Sequence, residues 1–227
     1  MELTRVFYEM VQNLKTKRGR PRAYDPDTAL ARAMAAFWDT GYSATSLDDL
    51  SAATGMNRPS LYAAFGDKRA LYRKALDQYR AMGEAAMADA LASDIPLDEA
   101  LRRVYRTALS VYFSGETSAR GCFMIGTAVT DVVADSELRA ALADGFRSFD
   151  KAFEDRIRFA QQNGEIADGA DPTILAQLAS AVLYFLAIRS RAGETRAALE
   201  AAAEGAVAFI CATAKPKARR DREDRTR

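Results

Sequence analysis

Histidine is absent from this 227-residue chain. Its absence removes His-based triads, His-ligated zinc and the side chain that most often serves as a general base near neutral pH. Cysteine is almost absent too: Cys122 and Cys211 are far apart and have no CxxC spacing, so neither a zinc ribbon nor a disulfide framework is indicated. No phosphate-cradling Gly loop, Asp-rich metal motif or activated nucleophile occurs, and the expectation is no catalytic residue, no metal and no cofactor. Long apolar runs are missing: stretches such as Ala179 to Ile188 are too short and too often broken by polar letters to span a bilayer. The N-terminus carries no apolar signal-peptide core, so a soluble cytoplasmic protein without membrane contact is expected. Strand signals are lacking as well, with no alternating Val/Ile/Thr runs and no Asn-Gly or Asp-Gly hairpin between apolar segments.

What is present is 49% apolar letters, enough for one ordinary domain or a small domain joined to a larger one. The formal net charge of +1 conceals a division, because residues 1–22 hold six Lys/Arg against two acids and residues 215–227 hold seven against three. Two basic ends therefore flank an acidic body. Residues 23–80 balance at seven bases and seven acids, so any nucleic-acid contact there depends on placement rather than bulk charge.

Residues 1–24 read as a basic arm and 215–227 as a charged, disordered tail. The first dozen residues could precede the natural start, since Met10 is an internal methionine. Asp25-Pro26 places a cap and a proline where helices begin. Leu30, Met34, Phe37 and Trp38 then recur at helical spacing until Gly41. Ser46 with Asp49 three places on is an acidic form of the capping box for a second helix, which Gly55 ends. Asn57 caps a third helix whose first turn tolerates Pro59 and whose buried stripe is Leu61 and Phe65. From Asp67 only helices are expected, over 67–91, 97–114, 119–132, 136–163, 171–192 and 195–213. The chain is therefore all-α.

Two short helices joined by a Gly turn are the elements of a helix-turn-helix, whose first member braces the second in the DNA major groove, the alternative being ordinary helix packing of the same geometry. The letters are specific. Gly41-Tyr42-x-x-Thr45-Ser46-Leu47-x-x-Leu50 and Gly55-Met56-Asn57-x-x-Ser60-Leu61-Tyr62-x-x-Phe65-x-x-Lys68-x-x-Leu71 closely resemble the TetR family DNA-binding signature. The resemblance implies a three-helix DNA-binding domain over 25–72 and a larger helical sensor and dimerisation domain over 73–214. It also implies a repressor that releases a palindromic operator on binding a small-molecule effector or on modification of a cysteine. Carried over by position, Asn57, Arg58, Pro59 and Ser60 stand at the groove-facing start of the recognition helix. Arg58 is the expected base reader, its forked donors matching guanine O6 and N7 in a contact of about 1–3 kcal/mol. Tyr62 and Lys68 are expected on phosphates. Thr45 and Ser46 offer hydroxyls to the opposite phosphate run, with simple capping the alternative for Ser46. Ala63 and Ala64 depart from many relatives and thin the later contacts. Arg18-Gly19-Arg20-Pro21-Arg22 resembles the core of AT-hook minor-groove binders, the alternative being a solvated tail.

In the larger part, Leu175, Leu178, Ala179, Val182, Leu183 and Leu186 form an apolar face expected at a homodimer interface through the last two helices. Such a dimer sets two recognition helices about 34–36 Å apart. Tyr105, Leu109, Phe113, Phe123 and Met124, with Phe149, Phe153 and Tyr184, either pack the core or line a cavity for a small hydrophobic or aromatic effector. Cys122, after Arg120-Gly121, resembles a cysteine-bearing subgroup of the family. A thiolate favoured by a helix start and Arg120 is one reading and a buried structural thiol the other. An all-α enzyme and an architectural DNA protein are the rival classes, and footprint shape separates them from a repressor.

Overall fold

Asp25 opens the first helix as its composition foretells: the carboxylate accepts the backbone N–H groups of Asp27 and Thr28 and Pro26 fills the first turn. The computed structural model describes residues 25–115, 118–128 and 135–213. The basic arm with Arg18, Arg20 and Arg22, and the tail at 215–227, lie outside the described residues. Among the described residues there are helices and no strands: α1 (Pro26–Thr40), α2 (Leu47–Thr54), α3 (Arg58–Phe65), α4 (Lys68–Ala90) and α5 (Leu97–Tyr112) are followed by a π-helical turn at Met124–Ala128. Then come α6 (Ser136–Gln162), α7 (Pro172–Arg191) and α8 (Arg196–Thr213).

Helices α1 to α3 form a small head. Its centre is Phe37, Trp38, Leu50, Leu61 and Phe65, all buried. Packing contacts run from α1 to α2 and α4, and onward from α4 to α5 and α6. Trp38 carries the core across the junction. Its ring meets Tyr79 of α4 edge-on at 5.1 Å and Phe123 at 5.7 Å, so the head and the larger part share one apolar cluster. Arg69 near the start of α4 pairs with Asp135 at 2.6 Å, and Arg73 pairs with Glu137. Asp135 also caps α6, accepting from Glu137 and Leu138, and these contacts hold its carboxyl down at about 2.

In the larger part α6 lies on α7, α5 on α8, and α7 also on α5 and α8. By length and composition α7 matches a membrane span, but its Leu175, Ala179, Leu183 and Leu186 side is buried inside the fold.

The helix expected over 119–132 is corrected. Residues 118–122 are non-helical, and helical geometry starts only at Phe123 and at once widens into the π turn. Gly121 is the physical cause, because it adopts φ +66° and approaches the Ala187 carbonyl so closely that a Cβ would lie 2.6 Å from that oxygen.

Candidate nucleic-acid interface

Three local devices set up the reading head. Ser46 and Asp49 form the reciprocal capping box, the Asp49 N–H donating to Ser46 Oγ and the Ser46 N–H to Asp49 Oδ2 at 2.8 Å. Gly55 turns the chain in the left-handed region, φ +72°. Asn57 Oδ1 accepts the Ser60 N–H at 2.9 Å and starts α3.

The face so formed has an exposed leading end. Asn57, Arg58 and Pro59 are exposed, Ser60 is half-buried, and Tyr62 is 48% exposed on the next turn. Leu61 and Phe65 point the other way into the core. Ala63 is exposed and Ala64 packs partly inward. Lys68 begins α4 with its Nζ 4.6 Å from the centre of the Tyr42 ring and donates to the Ser43 carbonyl at 3.5 Å, which holds its charge beside the α1–α2 loop. Arg58 is not a loose cation. Its Nε donates to Asp48 Oδ1 at 3.0 Å and its Nη2 lies 2.7 Å from Asp48 Oδ2, a two-bond fork to the first turn of α2.

Two expected phosphate donors are placed differently. Thr45 is buried, its hydroxyl donating to the Gly41 carbonyl at 2.6 Å and sharing a hydrogen bond with Thr40 Oγ1, so its side chain faces inward. Ser46 Oγ is engaged with Asp49, which lowers the Asp49 carboxyl below its ordinary range and makes capping the role of this hydroxyl in the structure.

The larger part contains an apolar cavity of about 80 Å³ between α4, α5 and α6. Tyr79, Gly83 and Met87 line it from α4, Val104, Ala108 and Tyr112 from α5, and Cys122, Phe149 and Leu183 close it. Of the residues expected around an effector, Cys122 and Phe149 are on this wall. Phe123, Met124 and Phe153 are core. Tyr105 is held by its hydroxyl donating to the Ala179 carbonyl at 3.1 Å, and with Leu109 it borders a separate groove beside α8. Phe113 follows the end of α5, and the Tyr184 ring lies tilted against Phe146, 4.9 Å between centres. Sequence reasoning missed Tyr79, Val104, Ala108 and Tyr112, whose letters are those of any helix core.

Of the two readings of Cys122, the structure shows the buried thiol. The sulfur is buried, and desolvation pushes its pKa above the ordinary value despite donors from the Ile125 and Met124 backbone and the Tyr79 hydroxyl at 3.5 Å. Arg120, the expected activating cation, turns instead to Asp39, 2.8 Å away.

Most of the α7 face expected at a dimer interface is turned into the protomer. Leu175, Ala179, Leu183 and Leu186 are buried within the protomer, Val182 is half-buried, and of that set only Leu178 is exposed. The outward apolar side of α7 is Ile174, Leu178, Phe185 and Ile188, with Phe209 of α8 65% exposed. Because α7 is apolar around most of its circumference, periodicity could not say which side turns inward.

These features have counterparts in known proteins. Residues 29–75 match the family model described as bacterial regulatory proteins, tetR family, and residues 96–206 match one described as tetracyclin repressor-like, C-terminal domain. The HTH-type transcriptional repressor ComR of Escherichia coli is 32% identical over 185 residues, covering 82% of this chain and 88% of ComR. The HTH-type transcriptional repressor BdcR of Escherichia coli is 36% identical over 107 residues, 47% of this chain and 54% of BdcR. Among solved structures, a cysteine-substituted CifR, a TetR family transcriptional regulator complexed with 26-bp double-strand operator DNA, superposes with TM-score 0.75 at 33% identity. That match covers 83% of this chain and 98% of CifR. With matching domain models in both parts and a relative this similar along most of its length, the chain belongs to the tetR family of bacterial regulatory proteins, helix-turn-helix DNA-binding transcriptional regulators.

Proposed function

We propose that the protein is a cytoplasmic homodimeric repressor that holds a palindromic operator through α3 and releases it when a small apolar molecule fills the cavity between α4, α5 and α6. The observation that carries the reading is the exposed leading end of α3, with Asn57, Arg58 and Pro59 standing out and Ser60 half-buried beside them, on a head whose opposite side is buried core. In this reading Arg58 meets a guanine edge, Tyr62 and Lys68 meet phosphates, and Arg18, Arg20 and Arg22 of the arm add minor-groove or phosphate contacts. The outward side of α7, with Phe209 of α8, pairs with its copy across a two-fold axis and sets the two heads one DNA turn apart. The repression of transcription ascribed to ComR and BdcR and the operator complex of CifR support the assignment.

The cavity wall is almost wholly apolar, which favours a small hydrophobic or aromatic effector. Two states that bind DNA differently suffice for release, since a ligand shifts such an equilibrium by its differential affinity. Cys122 on the wall has burial holding it protonated, so non-covalent filling of the cavity is favoured over modification of the thiol. Footprinting on duplexes selected from a randomised library tests the assignment. A short two-fold symmetric protection, lost in Arg58→Ala, is expected, and protection spread over A·T-rich tracts without symmetry would overturn it.

A further inference from the structure

The fork between Asp48 and Arg58 joins an acid and a base ten residues apart across the helix-turn-helix turn. Both side chains are exposed, 75% and 53%, so the pair adds little to folding. Asp48 does not cap α2 either, because Asp49 forms the capping box. An exposed acid at the head of a surface meant for phosphates weakens binding to every duplex, and that penalty calls for a function.

The geometry supplies one. Asp48 takes the side fork of the guanidinium, Nε at 3.0 Å and Nη2 at 2.7 Å. One hydrogen on Nη2 and both on Nη1 are not used by Asp48. The end fork formed by Nη1 and Nη2 is the pair of parallel donors that matches guanine O6 and N7. Resting on the above reading of α3, we propose that Asp48 is a positioning residue for base recognition, fixing the plane of Arg58 so that its end fork presents to guanine. A long exposed side chain otherwise loses rotamer freedom on binding, and the ion pair removes part of that loss beforehand. Asp48 also competes with phosphates for the side fork, so Arg58 gains less from a non-specific duplex than from a guanine edge. Both effects act on the same quantity, the ratio of specific to non-specific affinity.

The test uses the full-length protein, the duplex it selects from a randomised library, a scrambled duplex, and the selected duplex carrying 7-deazaguanine at the guanine read by Arg58. Asp48→Ala is expected to leave binding to the scrambled duplex equal or tighter while lowering the specific-to-scrambled ratio about three- to tenfold. It should also shrink the 7-deazaguanine penalty. Asp48→Asn, which retains one acceptor, should fall between. In an Arg58→Lys background, which has no fork to orient, Asp48→Ala should change the ratio no further. An acid that merely repels DNA or stabilises the start of α2 gives a different pattern: both affinities or the melting temperature shift, and the ratio and the 7-deazaguanine penalty stay put. That result, with Arg58→Ala still abolishing guanine preference, overturns the role of Asp48 alone. If Arg58→Ala leaves guanine preference intact, the reading of α3 falls and this inference with it.

Discussion

Arg120 and Asp39 tie the reading head to the larger part of the molecule: Asp39, next to last in α1, lies 2.8 Å from the Arg120 Nε, and the Arg120 carbonyl in turn accepts from Arg191 at the end of α7. The guanidinium also lies over the Trp38 ring, 5.8 Å from its centre. Asp39 is half exposed, so the pair is screened, and a double-mutant cycle of Asp39→Ala and Arg120→Ala should give a coupling of about 0.5–1 kcal/mol in urea unfolding. Strict additivity would mean that the contact does not link the two parts.

Gly121 is conformationally obligatory. Alanine there must adopt φ +66° and place its methyl 2.6 Å from the Ala187 carbonyl oxygen, so Gly121→Ala should destabilise by about 2–4 kcal/mol. Denaturant midpoints measure this, and a change below 1 kcal/mol would contradict the close approach of the loop to α7.

Filling the cavity separates sensing from folding. Ala108→Leu adds three carbons against an apolar space of about 80 Å³. It should raise stability by about 1 kcal/mol and leave operator affinity intact while abolishing the response to an apolar effector. Loss of stability together with loss of DNA binding would show that the space is needed for packing.

Alkaline pH should unfold the protein through the same wall. Burial raises Tyr79 and Tyr112 well above the ordinary 10.0 and Cys122 above 9.0, so the folded state keeps protons that the unfolded chain releases. Stability is therefore fully present below pH 9 and falls as pH rises past these ordinary values, by up to about 1.4 kcal/mol per pH unit for each group. Tyr79→Phe should flatten the slope in unfolding series between pH 8 and 11. Cys122 should also alkylate more slowly than a free thiol at pH 7.5, and faster labelling would reverse the reading of a buried, protonated sulfur.

A charge on the outer side of α7 tests the dimer. Ile188 is 55% exposed, so Ile188→Glu should leave the helical spectrum unchanged yet shift sedimentation toward a monomer. With only one half-site engaged at a time, operator affinity should fall about a hundredfold or more.

Much of the head was legible because its signals are local. Asp25-Pro26, Ser46 with Asp49, Gly55 and Asn57 each act within one turn of where they stand, and each has the role its letter implies. What escaped depends on partners distant in sequence. Thr45 turned inward to meet Thr40 and Gly41, and the cavity wall draws ordinary core letters from four helices. The Gly-Cys pair read as a helix start and is a loop fixed by the approach of α7. The inward side of α7 was not told from the outward one because both are apolar.

The recognition helix is only eight residues long, far short of what holds its shape alone in water. Its form is borrowed from Leu61 and Phe65, which are buried in the shared apolar cluster. On the proposed reading, grip on the promoter and integrity of the interior therefore melt together. Warming or core damage would therefore release transcription over the same range in which the interior itself loosens.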